Sequence, residues 1–424
     1  MLTIVFFYSI INGEKYFINF YFLMLRRFFM LELNFDMAQT IAFAVVLLLI
    51  GRVIKKWIPI LERFFIPAPV IGGTLFSIIL LIGHQTESFT INFNGDIRVL
   101  LMTAFFTTIG FSASLKILKS GGIGVLIFLI VATVLVIIQD IVGVSLAKVF
   151  GINPLIGLAA GSIPLTGGHG TSGAFGPYLE DLGATGATVV ALASATYGLV
   201  SGCLIGGPVA RRLMNKHNLK PKLDDDATNK LEEDATPVGE KSIFQAIVYI
   251  SISMGIGAFI NPYLKEWGIT LPAYIACMFI AAIFRNITDS MKKPLPFKEI
   301  EIVGNISLAL FLSMALMSLK LWELADLAGP LVIILLIQTV IMAAYAYFVT
   351  FNIMGRDYDA AVIATGHCGF GLGASPNAIA NMETFTAANG PSPKAFFILP
   401  IVAALFIDFT NAAVITTFAG FLTK

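Results

Sequence analysis

From residue 37 to the C-terminus, apolar stretches of about 20 residues follow one another, joined by short polar or Gly/Pro-containing segments. Stretches of that length cross the hydrocarbon core of a bilayer as helices, where every backbone N–H and C=O is paired within its own segment. Composition agrees: of 424 residues, 57% are hydrophobic and 12% charged, and the mean hydropathy is +0.87. The chain reads as an all-α polytopic membrane protein with no room for a large soluble domain. Its net charge is +1, and its basic residues sit in short loops beside spans, which excludes a nucleic-acid binder. Cys203, Cys277 and Cys368 lie in apolar or glycine-rich surroundings and do not read as a disulfide framework. Residues 1–36 form an N-terminal extension. Met30 opens a shorter reading that leads straight into the first span, so residues 1–29 are expected to be an upstream appendage, and they lack the small-residue cleavage site of a signal peptide.

Landmarks recur along the chain at almost one offset. IPAPVIGG holds Pro67 and LPAYIAC holds Pro272; FSASLK ends at Lys116 and FLSMALMSLK at Lys320; GLAAGSIPLTGG and VIATGHCGFG align through Gly161 and Gly366. Recurrence in the same order points to two related halves, 37–210 and 242–424, around a polar linker, 211–241. Spans are expected over 37–55, 66–83, 97–115, 122–147 and 184–210, then 242–262, 269–284, 302–319, 328–351 and 395–421. If the glycine-rich stretches enter and leave the membrane on one side, nineteen basic residues fall on one face and five on the other. A full crossing by each stretch erases most of that bias. The positive-inside rule therefore favours inverted five-span repeats with re-entrant hairpins at 154–177 and 359–382, both termini outside, and the linker cytoplasmic.

Residues 161–177, GSIPLTGGHGTSGAFGP, hold six glycines and two prolines. Glycine costs about 1 kcal/mol and proline about 3 kcal/mol in a helix interior, so the helix must break there. Irregular backbone at membrane depth survives only when buried in protein or lining a wet cavity. Two such breaks at matching positions point to a transport site, where helix N-termini attract carboxylates and freed carbonyls coordinate a small cation. GHGTSG matches G-x-G-x-x-G, but it lacks the strand, the helix and the distant acid that a dinucleotide fingerprint needs.

GGHGTSGA, GHCGFGLGASPNAIANM, NISLALFLSMALMSLKLWELA and the terminal FIDFTNA together resemble the bacterial glutamate:sodium symporter family, over residues 37–421. The resemblance implies sodium-coupled uptake of L-glutamate across a bacterial inner membrane, two inverted five-span domains with re-entrant loops, and a homodimer in membrane lipid. It also implies an elevator-type movement of a substrate-carrying domain against a dimeric scaffold. The N-terminal extension departs from the family pattern.

Among individual residues, Asp408 is an ionisable group at membrane depth, where carboxylates are costly and face a cavity or a partner. It would ligate sodium or meet an ammonium group, with Asn411 and Asn381 as further sodium ligands; the alternative is a structural pairing. Ser162, Thr166, Gly167, Gly168, Thr171, Gly371, Gly373, Ser375 and Asn377 are the candidate substrate contacts, although serine and threonine also serve as glue between membrane helices. Ser172 belongs to the same hydroxyl cluster. His169 and His367 read as hydrogen-bonded structural residues, with no metal site. Asp140 reads as a scaffold residue on a span without hairpin contacts. No arginine or lysine lies in the hairpins themselves, so dipoles and hydroxyls must carry anion binding, with sodium as the only coupling ion and no cofactor. A carrier for citrate or a dicarboxylate is the nearest rival. No H-E-x-x-H or G-x-S-x-G supports a membrane enzyme, and paired hairpins suit alternating access better than a channel.

Overall fold

The computed structural model describes residues 31–120, 122–221, 239–266, 272–324 and 327–423. The expected appendage, 1–29, and most of the expected linker, 222–238, lie outside the described residues. The described chain is mostly helical: α1 (Met37–Trp57), α2 (Pro59–Arg63), α3 (Ala68–Gln85), α4 (Asp96–Ser112), α5 (Leu115–Ser120), α6 (Gly122–Val149), α7 (Pro154–Ala159), α8 (Ser162–Leu165), α9 (Gly168–Asp181) and α10 (Ala187–His217) come first. Then follow α11 (Glu240–Glu266), α12 (Ala273–Ser290), α13 (Phe297–Met317), α14 (Ala328–Tyr345), α15 (Phe351–Ile353), α16 (Tyr358–Leu372), α17 (Ser375–Asn389), α18 (Pro393–Ile401) and α19 (Ile407–Leu422). Local chemistry sets their ends. Asp36 caps α1, its Oδ1 accepting from the Gln39 N–H at 2.8 Å while Gln39 Oε1 accepts from the Asp36 N–H at 3.0 Å. Lys55 and Lys56 complement the dipole in the last turn of α1. Pro67 and Pro272 stand immediately before α3 and α12.

Among the described residues, eight helices are long and apolar enough to cross a membrane. Two expected spans fall outside that set. α4 has 17 residues and carries Asp96 and Arg98 in its first turn, and α12 carries Arg285, Asn286 and Asp289 in its last turns. The helices are accompanied by one short strand pair: Leu31–Phe35 (β1) and Phe89–Phe93 (β2) pair in parallel, Leu31 opposite Phe89 and Phe35 opposite Phe93. Alternating LELNF and FTINF suit a strand, and Phe35 packs edge-on against Phe93 with ring centroids 5.4 Å apart.

The helices gather into two packed bodies. α1, α3, α4, α11, α12 and α13 contact one another; α6, α7–α10, α14 and α16–α19 form the other body. Each draws on both halves of the chain. Glycine lets backbones touch inside each: a methyl on Gly51 or Gly72 would collide with the facing helix between α1 and α3. In the second body, Gly198, Gly202 and Gly206 recur every fourth residue of α10. A methyl on Gly198 would overlap the Leu372 carbonyl, and one on Gly202 would stand 2.9 Å from that of Cys368. All three cysteines are free.

Candidate functional site

Both glycine-rich stretches are broken helices. In the first, Asn153 caps α7 by accepting from the Leu155 N–H at 3.0 Å. The chain then breaks at Ala160–Gly161 and again at Thr166–Gly167. Gly168 takes φ +64°, in the left-handed region that favours glycine, and starts α9. In the second, Asp357 caps α16 by accepting from the Ala360 N–H at 2.9 Å, and one break at Gly373–Ala374 leads into α17. The breaks meet, since a methyl on Gly168 would stand 3.2 Å from the Gly373 carbonyl.

Where they meet, a cavity of about 370 Å³ opens between the two helix bodies. The N-termini of α9 and α17 both reach it, through Gly167, Gly168 and His169 on one side and Ser375, Pro376 and Asn377 on the other. Each helix is long enough, at 14 and 15 residues, to present a positive dipole end to an anion. Among the described residues, Asp408 is the only aspartate, glutamate, lysine or arginine lining the cavity. The body that carries the hairpins supplies most of the polar lining, whereas the facing body contributes Phe105, Ile109, Leu308 and Leu312, with Asn305 as its polar exception. The Asn377 Nδ2 donates to the Leu199 carbonyl at 2.8 Å, leaving its Oδ1 without a hydrogen-bond partner.

Of the residues named from sequence, Thr166, Gly167, Gly168, Thr171, Gly373, Ser375, Asn377 and Asp408 line this cavity. Ser162, Gly371, Asn381 and Asn411 do not. Gly371 faces the Met342 and Leu135 side chains. Asn381 Nδ2 donates to the Gly202 and Thr365 carbonyls at 3.0 and 3.2 Å, tying α17 to α10. Ser162 and Asn411 are fully buried behind the first tip. Ser172 donates to the Gly168 carbonyl at 2.8 Å. His169 meets Thr196 Oγ1 at 3.0 Å and His367 meets Thr350 Oγ1 at 2.9 Å.

Asp140 corrects the sequence reading, because it does touch a hairpin: its Oδ1 accepts from the Ser162 N–H at 2.8 Å. Its neighbour Gln139 joins both tips, donating from Nε2 to the Gly371 carbonyl at 2.6 Å and accepting at Oε1 from Thr166 Oγ1 at 2.8 Å. Gln139 and Asn305 are missed from sequence, although a glutamine beside an aspartate in the apolar run of α6 is a signal of its own. The Ala403 carbonyl is also missed. It sits in a π-helical turn, Val402–Phe406, just after Pro400 and accepts from Ser375 Oγ at 2.8 Å.

A second cavity, of about 530 Å³, shares Phe105, Ile109, Asn305, Ser375, Ala403 and Asp408 with the first and continues to Arg285, Phe297 and Glu301. Arg285 is held there by Asp289 at 2.9 Å and lies over the Phe297 ring, 3.7 Å from its centroid. A separate cavity of about 380 Å³ is lined by Arg98, Glu180, Lys320 and Glu323. Burial raises the Glu323 carboxyl above its usual value, with Lys320 opposing and Glu180 adding to the rise.

Residues 33–391 match the family model described as sodium/glutamate symporter. This chain belongs to that family. It is 44% identical over 389 residues to the sodium/glutamate symporter of Escherichia coli (strain K12), covering 90% of this chain and 97% of the relative. It is 41% identical over 390 residues to that of Haemophilus influenzae, covering 90% and 96%. The sodium/glutamate symporter family is one of transporters, and with eight apolar helices the chain is an integral membrane protein.

Proposed function

We propose that the protein is a secondary active transporter that carries L-glutamate into the cell together with sodium. The observation that carries this reading is the cavity itself: two helix N-termini converge beside one carboxylate. Dipole ends suit the carboxylates of an amino acid, and Asp408 suits its ammonium group or a sodium ion. Thr166, Gly167, Gly168, Thr171, Gly373, Ser375 and Asn377 are the substrate contacts, and Asp408 takes the coupling cation. A bound cation offsets ligand charge in a site without lysine or arginine, so glutamate affinity rises with sodium by linkage.

Ten spans in two inverted repeats, 37–210 and 242–424, with re-entrant hairpins, belong to the same reading, as do an inner-membrane location, outside termini and a homodimer in lipid. α4 and α12 then cross as short helices packed within protein. An elevator movement is supported by the division of the cavity, since the body holding the polar groups faces a largely apolar wall. The second cavity leads from Asp408 toward Arg285, which the inverted-repeat reading puts on the cytoplasmic face. Release toward the cytoplasm by that route follows.

Uptake of labelled L-glutamate into proteoliposomes, with and without an inward sodium gradient, tests the reading. Saturable, sodium-driven uptake that unlabelled glutamate blocks and citrate does not is the expected result. Transport of citrate or a dicarboxylate instead would keep the fold and change the substrate.

A further inference from the structure

Behind the first tip, outside the transport cavity, three buried side-chain oxygens have no hydrogen-bond partner: Asp140 Oδ2, Ser162 Oγ and Asn411 Oδ1. Their residues are 0% exposed and belong to three elements, α6, α8 and α19. All three meet at residue 162. The Ser162 N–H donates to Asp140 Oδ1 at 2.8 Å, and Asn411 Nδ2 donates to the Ser162 carbonyl at 3.2 Å. Gly161 makes the approach feasible, because a methyl there would stand 2.7 Å from Asp140 Oδ1.

An ionised carboxylate at this depth needs a counter-charge, and one backbone N–H does not supply it. The ion pairs among the described residues, Arg285–Asp289 and Lys320–Glu323, lie elsewhere. Among the described residues no three of His, Cys, Asp and Glu cluster as they would for a transition metal. One carboxylate with a hydroxyl and an amide oxygen is a hard, singly charged donor set. It neutralises one monovalent cation.

We propose that Asp140 Oδ2, Ser162 Oγ and Asn411 Oδ1 hold a sodium ion at a second site, separate from Asp408 and closed off from the substrate cavity. The assignment rests on the reading that sodium drives this carrier and adds a site to it. Asn411 Oδ1 lies on the buried side of α19, whereas Asp408 faces the cavity. The ion stitches the start of α8 to α6 and α19 and so holds the first tip in place before substrate arrives. Gln139, next to Asp140, passes that order to the second tip through Thr166 and the Gly371 carbonyl.

The test is equilibrium binding of radioactive sodium to the purified full-length protein in detergent, without glutamate. Wild type is expected to bind two ions per chain, Asp140→Asn and Asp408→Asn one each. Ser162→Ala removes an oxygen whose protein contact is a weak one to the Asp140 carboxylate, so it should fold; its second sodium should bind roughly tenfold more weakly, about 1.4 kcal/mol. An unchanged sodium count in Asp140→Asn, or unchanged affinity in Ser162→Ala, overturns the site and leaves a proton on Asp140 as what neutralises it. Glutamate plays no part in this readout. A carrier of another anion would therefore give the same sodium counts and fail only the uptake test.

Discussion

The two glycine-rich tips reach one cavity and both donate hydrogen bonds to their surroundings, but the acceptors that hold them differ in charge. The first tip is held by an acceptor, the Asp140 carboxylate, which takes the Ser162 N–H. The second is held by neutral carbonyls, to which its own side chains donate: Asn377 to that of Leu199, Asn381 to those of Gly202 and Thr365, and Ser375 to that of Ala403. Fastening by neutral amides leaves no charge behind, whereas fastening by a carboxylate leaves one that an ion must balance. The contrast assigns ion-dependent order to the first tip and permanent order to the second.

Four substitutions break or sharpen that contrast. The largest effect belongs to Gly198→Val, which drives a side chain into the Leu372 carbonyl beside the second tip. Overpacking of this kind costs about 1–3 kcal/mol and more where backbone is struck, so folded protein should be lost from detergent extracts; a wild-type melting profile would refute the backbone contact. Next comes Asn377→Leu, which strands the Leu199 carbonyl. It should destabilise by about 1–3 kcal/mol in sodium-free and sodium-containing buffer alike, as read by thermal unfolding. A sodium-dependent loss would mean that the second tip also depends on the ion. Asp408→Asn should lower sodium-driven uptake at least about tenfold while the protein still extracts folded; normal sodium activation would remove Asp408 from the site. Ser162→Ala should change sodium-free stability by less than about 0.5 kcal/mol, because its hydroxyl has only a weak contact with the Asp140 carboxylate to lose. A larger loss without sodium would show that the hydroxyl serves packing alone.

The breaks are legible in sequence because glycine and proline act locally: Gly168 must take a positive φ, and Gly373 ends α16, whatever surrounds them. Asp408 is legible because a carboxylate in an apolar run has few reasons to be there. Asp140 carries the same signal, yet its partner is not legible, since hydropathy reports depth and says nothing of which neighbour faces the side chain. Gln139 is hidden for that reason as well. π-helical turns such as Val402–Phe406 leave no residue pattern beyond Pro400, and the β1–β2 pairing joins two five-residue segments far apart in sequence. Length explains α4, where a 17-residue helix with charges at its start reads as an ordinary span until its packing is seen.

α10 touches the backbone of α16 through Gly198 and Gly202, lies against α9 through Gly176 and Thr188, and receives the amides of α17. It is thus a mast to which both tips are rigged. Neither tip can swing alone without prising main chain from main chain. A molecule built this way has no pair of independent doors, and under the elevator movement proposed above the mast and its rigging would shift together against the other body.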